Sequence, residues 1–337
     1  MDLKLNKILS NYVDLNINRK IIVSTSQSYN IETQKNISYD LIINLENVNN
    51  IRRINKFHEK VNGKMNLDGT YIFCAETIEQ RKIRNSNKVL FGFKNLLSII
   101  DFLFKRVIPK LPFLKRIYFL ITKGYNRTLS KAEILGRAVS CGFKIVHYFE
   151  FNLKLYVITE KKQKPDFNLN PSYGPIFKMK RLGKNGTTIS VYKFRTMHPY
   201  SEYLQEFIRD NHGYDNNSHK LKNDFRLTGW GKFFRKYWLD ELPQLINVFK
   251  GEMKIIGIRP LSQVFFNELP EDLRSQRIKH KPACIPCYVS LCMRGIDGFV
   301  ESERQYLKEK NEKPLFTDVK FTFLAMYNIL TGKIRSS

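Results

Sequence analysis

A segment rich in proline, asparagine and charge, KKQKPDFNLNPSYGP at residues 161–175, places the strongest limit on how this chain can fold. Proline and glycine at this density interrupt both helical and strand periodicity, so the segment predicts a boundary between domains. The chain of 337 residues is long enough for two domains of ordinary size. We therefore predict one domain over residues 1–165 and a second over residues 166–337.

The first 160 residues alternate between strand signals and helix signals. The runs KIIVSTS, YDLIINL and TYIFCAE are typical of short buried strands. In SKAEILGRAVSCGF, Ser130 followed three residues later by Glu133 predicts a helix start with a capping box, and Gly142 marks the helix end. The following alternating run predicts a hairpin that turns at Asn152. The fold class is therefore α/β, with a layered, Rossmann-like N-terminal domain.

The segments MNLDGTYIFCAET and SKAEILGRAVSCGFKIV resemble, weakly, the C-terminal half of a Rossmann-like methyltransferase. The glycine-rich cofactor motif of that family is absent after the first strand. We therefore expect no methyl transfer, and instead a scaffold or membrane-docking role for the first domain.

Residues 89–124 are the nearest approach to a membrane segment. No window holds the roughly 20 consecutive apolar residues of a spanning helix, and charged residues interrupt this one repeatedly. The pattern fits a basic amphipathic segment that lies in a membrane surface. Core-packed helices broken at Pro109 and Pro112 are the alternative.

The charge balance indicates an anionic partner. Lys and Arg total 57 against 31 Asp and Glu, a formal net charge of +26. No nucleic-acid-binding module accompanies this charge, so a nucleic-acid binder is disfavoured. The five cysteines and the absence of a secretory signal predict reduced thiols in the cytoplasm, and Cys284 with Cys287 lacks the further ligands of a zinc site.

Two adjacent carboxylates, Asp240 and Glu241, stand just ahead of an apolar helical run in WLDELPQLINVFKGEMKIIGIRPL. Pro243 and the spacing of the apolar residues predict a helix start, with Asp240 at or near its N-cap. A plain capping aspartate would account for Asp240 but not for Glu241. A carboxylate at a helix N-terminus can also lie beside phosphate and attack phosphorus when a metal screens the charges.

Basic residues on either side fit a phosphate-binding site. Lys193 and Arg195 occupy alternate positions of a predicted strand and so share a face. That strand follows a hairpin turn predicted at Asn185-Gly186. Arg259 precedes Pro260 and is expected to extend from a turn, where it can clamp phosphate. The run NDFRLTGWGKFFRKYW contributes three more cations: Arg226, Lys232 and Arg235.

The runs GPIFKMKRLGKNGTTISVYKFRTM, NDFRLTGWGKFFRKYWLDELPQLINVFKGEMKIIGIRPL and TDVKFTFLAMYNIL look like the bacterial sugar transferases. These are monotopic polyprenyl-phosphate phosphoglycosyl transferases that start the assembly of exopolysaccharides and other glycans. The likeness covers residues 172–337. It implies a compact, helix-rich α+β phosphoglycosyl transferase domain after the first domain.

The resemblance also implies substrates and roles. The substrates would be a UDP-sugar and a polyprenyl phosphate, usually undecaprenyl phosphate, with Mg²⁺ as cofactor. Asp240 would be the nucleophile, forming an aspartyl-phosphosugar, and Glu241 would help hold Mg²⁺ or handle a proton. Arg259 and Pro260 match the family's Arg-Pro turn near the nucleotide, and Lys193 and Arg195 match a strand near the phosphates. The location would be the cytoplasmic face of the bacterial inner membrane, and a homodimer is left open.

Several departures from the family pattern keep an alternative open, a catalytically inactive membrane-associated assembly partner. The family's hydrophobic re-entrant helix is replaced by TEKKQKPDFNLNPSY, so we hypothesise that residues 89–124 supply the membrane contact. Ile258 replaces a proline of the Arg-Pro turn, and KPACIPCY lacks the family's glycines. Besides Asp240 and Glu241, Asp297 is a further candidate for the metal, with a plain turn aspartate as the alternative. An Asp240 buried away from any cleft, with no cations facing it, would contradict the enzyme interpretation.

Overall fold

The structure, a computed structural model, describes residues 2–34, 38–86, 99–111, 113–165, 167, 173–212 and 224–334. It divides the chain into two compact units, which are described separately. The first unit comprises residues 1–173 and 198–226, and the second comprises residues 174–197 and 227–337. This division differs from the predicted one because its first break follows residue 173. Residues 198–226, inside the predicted second domain, belong with the first unit.

The first unit is built on a five-stranded mixed sheet. Its strands are β1 (Lys20–Val23), β2 (Tyr39–Asn47), β3 (Met65–Ala75), β4 (Phe143–Phe151) and β5 (Lys154–Lys161), in the order β1-β2-β3-β5-β4. The first three strands are parallel, and β5 is antiparallel to both β3 and β4. The strand order advances steadily from β1 to β3, without the reversal at which Rossmann sheets bind dinucleotides. The α/β class is confirmed, while the Rossmann-like layout stays a prediction.

Helices cover both faces of this sheet. They are α1 (Leu3–Leu9), α2 (Tyr29–Glu32), α3 (Ile54–Gly63), α4 (Ile78–Ser86), α5 (Leu114–Thr122), α6 (Lys131–Ser140) and α7 (Gln205–His212). Successive residues of a strand point to opposite faces. Accordingly, Ile42 and Tyr71 pack in a core with residues of α3 and α6. Leu41 and Ile72 pack in a second core with residues of α1.

The local signals of the first unit are largely confirmed. Ser130 caps α6 by accepting a hydrogen bond from the Glu133 backbone N–H at 3.2 Å. Gly142 follows α6 with φ +87°, and Asn152 lies in the β4–β5 turn with φ 48°. The Glu133 carboxylate does not complete the predicted capping box, because it pairs with Arg106, Lys110 and Arg137 instead.

The predicted membrane segment, residues 89–124, is only partly within the described residues, since 87–98 and 112 lie outside them. Its described part forms a π-helix at Leu103–Val107, a 3₁₀ turn at Ile108–Lys110 and helix α5. Four strongly exposed apolar residues lie on one side of α5 or at its N-cap: Phe113, Ile117, Leu120 and Ile121. Across the described ranges, no helix combines the length and apolarity needed to cross a bilayer.

The second unit contains two small sheets and a group of helices. Strands β6 (Ile176–Leu182) and β7 (Thr188–Phe194) form an antiparallel hairpin, and β8 (Lys254–Gly257) pairs in parallel with β9 (Ala283–Pro286). The predicted turn at Asn185-Gly186 is confirmed, with φ values of 57° and 73°. The helices are α8 (Gly229–Lys236), α9 (Leu245–Phe249), α10 (Gln263–Asn267), α11 (Glu271–Arg277), α12 (Cys287–Ser290), α13 (Gly295–Glu312) and α14 (Pro314–Leu330).

Candidate active site

The Asp240–Glu241 dyad lies in a 3₁₀ helix, Leu239–Gln244, that leads into α9. Trp238 occupies the cap position in the left-handed conformation, with φ 59°. Asp240 therefore lies near the cap, as predicted, in the first turn of this 3₁₀ helix. The α-helical segment begins only at Leu245, after Pro243, which has no N–H to donate.

A pocket of about 270 Å³ in the second unit brings several of the predicted residues together. Glu241, Lys193, Arg259 and Pro260 all line it, although they come from separate parts of the sequence. Asp240 does not line the pocket, and its side chain is buried, with the residue only 3% exposed. Glu241 is therefore the member of the dyad that faces open space.

Hydrogen bonds and burial together set the ionisation of Glu241. Lys193 Nζ donates to Glu241 Oε1, and Gln244 Nε2 donates to Glu241 Oε2. Burial raises the pKa of Glu241, and Asp240 adds to this effect, while the positive charges of Lys193 and Arg259 oppose it. A carboxyl group with a raised pKa, facing a pocket, is suited to exchange a proton with a ligand.

The backbone of the Arg259 turn is hydrogen-bonded to both members of a buried ion pair. The Arg259 backbone N–H donates to Glu303 Oε1 at 3.0 Å, and the Arg259 carbonyl accepts from Arg277 Nη2 at 2.6 Å. Arg277 and Glu303 form an ion pair and are almost completely buried. The Arg259 guanidinium lies over the Tyr288 ring, 5.8 Å from its centroid. This arrangement fixes the backbone of the predicted Arg-Pro turn and leaves its side chains on the pocket wall.

The remaining predicted cations do not line this pocket. Arg195 Nε donates to the Gly174 carbonyl at 3.0 Å, and its guanidinium lies over Phe177. Arg235 Nε donates to Thr196 Oγ1 at 3.0 Å. Arg195 still points to the face that it was predicted to share with Lys193, because Phe177 is the cross-strand partner of Lys193, but it does not line the pocket.

Three further predicted residues lie elsewhere. Arg226 belongs to the first unit, where it is buried and donates hydrogen bonds to Asp224 and Gln205. Asp297 is exposed in the first turn of α13 and lines a different cavity of the second unit. Lys232 is exposed on α8. None of these three is among the residues that surround Glu241.

Sequence reasoning missed several residues of the site. Gln244 carried a usable signal, because it lies one helical turn after Glu241 and can reach its carboxylate. Tyr288 and Cys284 line the pocket from the segment around β9 without a recognisable motif. Burial raises the pKa of the Cys284 thiol to about 12, so this thiol is neutral near pH 7. The Arg277–Glu303 pair joins residues far apart in sequence, which no local pattern indicates.

The pocket wall offers one carboxylate, that of Glu241, to a magnesium ion that substrate and water would have to complete. Mg²⁺ is usually held by one or two carboxylates, substrate phosphates and water, and Glu241 puts a carboxylate on the pocket wall. Among the residues that the structure describes, no group of three or more His, Cys, Asp or Glu side chains could hold a metal. Such an ion would therefore depend on phosphate oxygens and water for most of its ligands.

Comparison with known proteins agrees with the motifs. Residues 168–332 match the family described as bacterial sugar transferase. Galactosyl transferase CpsE of Streptococcus agalactiae is 32% identical over 47% of this chain and 35% of its own length. Undecaprenyl-phosphate galactose phosphotransferase of Salmonella typhimurium is 44% identical over 26% of this chain and 20% of its own length. The family resemblance predicted from the motifs is confirmed for the C-terminal region.

A third relative extends over a similar region. UDP-N-acetylgalactosamine-undecaprenyl-phosphate N-acetylgalactosaminephosphotransferase of Aeromonas hydrophila is 29% identical over 48% of this chain and 37% of its own length. The chain thus spans well under half the length of these three relatives. A solved O-methyltransferase family protein from Burkholderia thailandensis aligns with 40% of this chain and 33% of its own at 10% identity. Its TM-score of 0.24 supports no argument about the fold, so the methyltransferase resemblance stays a prediction.

Proposed function

We propose that this chain, with a bacterial sugar transferase region in its C-terminal half, transfers a phosphosugar from a UDP-sugar to a polyprenyl phosphate. This reaction would start the assembly of an exopolysaccharide or another glycan. The observation that carries the proposal is the convergence of Glu241, Lys193 and Arg259 on one pocket inside the family-matched region. The names of the Salmonella and Aeromonas relatives describe undecaprenyl-phosphate sugar phosphotransferases, which agrees with this reaction class.

In the first step, a carboxylate oxygen of Asp240 attacks the phosphorus that bears the sugar. The bond from that phosphorus to the bridging oxygen of the diphosphate breaks, and UMP leaves with the electron pair. The product is an aspartyl-phosphosugar, a mixed anhydride that keeps the phosphorus activated. The assignment of this step to Asp240 rests on the family resemblance, because Glu241 is the dyad member that lines the pocket.

The pocket cations would stabilise the charge that develops on the phosphate oxygens. Arg259 presents a planar guanidinium that can bond two oxygens at once, and Lys193 adds a point charge. The Arg277–Glu303 pair keeps the Arg259 turn in place, so little reorganisation is needed during the reaction. A Mg²⁺ ion, held by Glu241 with Asp240 beside it, would neutralise part of the diphosphate charge when bound.

In the second step, a phosphate oxygen of the polyprenyl phosphate attacks the same phosphorus. The bond to the Asp240 oxygen breaks, which regenerates the carboxylate and releases a polyprenyl diphosphate sugar. Glu241 would exchange a proton with the phosphates during this cycle, because its raised pKa favours proton uptake. The reaction consumes no water, so excluding water from the pocket would keep the aspartyl-phosphosugar from being hydrolysed.

The lipid acceptor requires contact with a membrane, which we place at the cytoplasmic face of the bacterial inner membrane. In the first unit, Phe113 at the N-cap of α5 and Leu120 within it are 89% and 80% exposed, and the first turn of α5 adds the exposed cations Lys115 and Arg116. An apolar face flanked by cations suits an anionic lipid surface. The second unit exposes another apolar face along α14, with Leu315, Phe316, Phe323 and Leu330.

Vesicle pelleting tests the membrane contact of the first unit. We expect Phe113→Ser combined with Leu120→Ser to reduce pelleting with anionic vesicles. The matched control replaces Leu3 and Leu67, two exposed apolar residues of the same unit that lie outside residues 89–124. Equal pelleting of the two double variants would contradict a membrane role for α5.

The release of UMP in the presence of undecaprenyl phosphate and a panel of UDP-sugars tests the reaction. Asp240→Asn keeps the size of the side chain but removes the nucleophile, so we expect loss of turnover by a factor of about 10³ or more. Asp297→Asn is the matched control, since Asp297 also lies in the first turn of a helical segment but lines another cavity. If Asp240→Asn kept the wild-type rate and Glu241→Gln lost turnover, the nucleophile would be Glu241 instead of Asp240.

The burial of Asp240 favours one alternative, a catalytically inactive membrane-associated assembly partner. This burial meets one of the two conditions that would contradict the enzyme interpretation. The second condition is that no cations face Asp240. Two cations, Lys193 and Arg259, act on the adjacent Glu241. Absence of UMP release by the wild-type chain with every UDP-sugar, together with vesicle binding, would support this alternative.

A further inference from the structure

A basic cavity of about 720 Å³ lies in the first unit, in the part of the chain for which the motifs predict no chemistry. Nine lysine and arginine side chains line it, against two carboxylates, Glu59 and Glu133. The lining comes from five stretches of sequence, around residues 52–59, 105–119, 127–137, 173 and 200. All five belong to the first unit.

The internal ion pairs leave much of this positive charge unbalanced. Glu133 alone serves three cations, Arg106, Lys110 and Arg137. Six further lining cations form no ion pair within the ranges that the structure describes: Arg52, Arg53, Lys56, Lys105, Lys115 and Arg127. A concave surface with such an excess of one sign attracts ligands of the opposite sign.

Neighbouring like charges already affect ionisation inside the cavity. Burial lowers the pKa of Lys110 to about 8, and Arg106 and Arg137 contribute to this decrease, which Glu133 only partly opposes. Burial and the nearby Arg137 lower the pKa of Arg127 to about 10. An anionic ligand would relieve this repulsion and raise both pKa values.

Two polar groups of the cavity lining lack a partner. Thr128 is 4% exposed, and its Oγ1 has no hydrogen-bond partner among the described residues. Arg127 Nε is buried and also without an acceptor in the described part of the chain, although another nitrogen of this guanidinium donates to the Ile51 carbonyl. Buried donors without acceptors are rare in folded proteins, so a ligand that supplies an acceptor would stabilise both groups.

We propose that this cavity binds a small soluble ligand that carries two or more phosphate groups. Its phosphate oxygens accept hydrogen bonds from Thr128 Oγ1 and Arg127 Nε and lie between Lys56 and Lys110. Two phosphates match the excess of cations better than a single carboxylate or phosphate would. This binding does not depend on the proposed transfer reaction, since every lining residue belongs to the first unit.

Calorimetric titration with inorganic pyrophosphate, without divalent cations and at physiological salt, tests the proposal. The full-length Arg259→Gln variant is the background, because the pocket of the second unit is also expected to take diphosphates. We expect one site per chain. Lys56→Gln should raise Kd about fivefold, as expected for the loss of one partly exposed charge contact.

Lys60→Gln is the matched control for Lys56→Gln. Both lysines are exposed on α3 one turn apart, but Lys60 does not line the cavity. We expect Lys60→Gln to leave Kd unchanged. Absence of binding, or an equal effect of the two variants, would overturn the proposal. If Lys56 contributed to the binding of vesicles containing phosphatidic acid but not to the binding of pyrophosphate, the ligand would be a lipid. This result would also overturn the proposal.

Thr128→Val gives a second readout, because it should lower the affinity for pyrophosphate but raise the Tm of the ligand-free chain. Valine has nearly the shape of threonine but no hydroxyl, so the variant should bind pyrophosphate more weakly. The ligand-free variant should have a higher Tm, since a buried unpaired hydroxyl is removed. Unchanged affinity for pyrophosphate would overturn the placement of the ligand against this wall of the cavity.

Discussion

The pocket of the second unit and the cavity of the first unit each contain a buried glutamate, but their ionisation shifts in opposite directions. Burial raises the pKa of Glu241, and Lys193 and Arg259 reduce this increase without reversing it. Burial also acts on Glu133, yet Lys110, Arg137 and Arg106 lower its pKa well below the ordinary value. The number of cations around a carboxylate thus decides whether burial or pairing controls its charge.

Replacing the buried glutamate by glutamine in each region should give the largest difference in stability between the two regions. Glu133→Gln leaves three buried cations without their carboxylate, so we expect the free energy of unfolding to fall by about 3–5 kcal/mol. Glu241→Gln should change it by less than about 1 kcal/mol, because the fold already disfavours the charged form. Urea unfolding monitored at pH 7 measures both. Equal losses of stability would contradict the comparison.

The Arg277–Glu303 pair should be the next most sensitive feature. Glu303→Gln leaves Arg277 buried and weakens the hold on the Arg259 backbone, so we expect a loss of about 3 kcal/mol in stability. The KM for the UDP-sugar should rise as well, because the Arg259 turn loosens. Asp272→Asn is the control, since it breaks an exposed pair with Arg304 and should cost less than about 1 kcal/mol. A normal KM in Glu303→Gln would show that Arg259 needs no such support.

A smaller effect is expected from Gly136→Ala in the first unit. A Cβ at residue 136 would lie 2.3 Å from the carbonyl oxygen of Tyr200, whose side chain lines the basic cavity. We expect a loss of about 1–3 kcal/mol in stability and weaker pyrophosphate binding. Gly63→Ala is the control, because a Cβ there meets nothing within 4 Å. Thermal unfolding and calorimetry would measure the two effects, and unchanged behaviour of Gly136→Ala would contradict the close packing.

The smallest effect on stability is expected from Lys193→Met, which should act mainly on pH dependence. Without Lys193, the pKa of Glu241 should rise further, so the acidic limb of the UMP-release profile should move to higher pH. A folded-state pKa above the ordinary value means that Glu241 favours folding most at low pH. This contribution is lost as pH rises through the raised pKa. An acidic limb that stays in place would exclude Glu241 as the titrating group.

Glu133 should show the reverse pH dependence of stability. Its pKa is lowered in the folded chain, so its contribution is present above the ordinary value of 4.5 and is lost as pH falls through the lowered pKa. Acid unfolding of the wild type and Glu133→Gln checks this difference. The two chains should converge in stability at low pH.

Local sequence patterns predicted the elements that short-range forces decide. Strands such as β2 and β3, the capped start of α6 and the turns at Asn152 and Asn185 lie where their residues indicated. The motif around Glu241 also identified the pocket of the second unit. Arg195, Arg226 and Arg235 do not line that pocket, and their substrate-binding roles stay predictions.

What the sequence by itself determined is the set of local structures and the match of residues 168–332 to the bacterial sugar transferase family, since both depend on residues close together along the chain. The tertiary structure alone decided that Glu241 lines the pocket while Asp240 is buried. It also decided that residues 198–226 join the first unit and that nine cations share one cavity. Burial and charge pairing arise from contacts between distant segments, and no local pattern records those contacts.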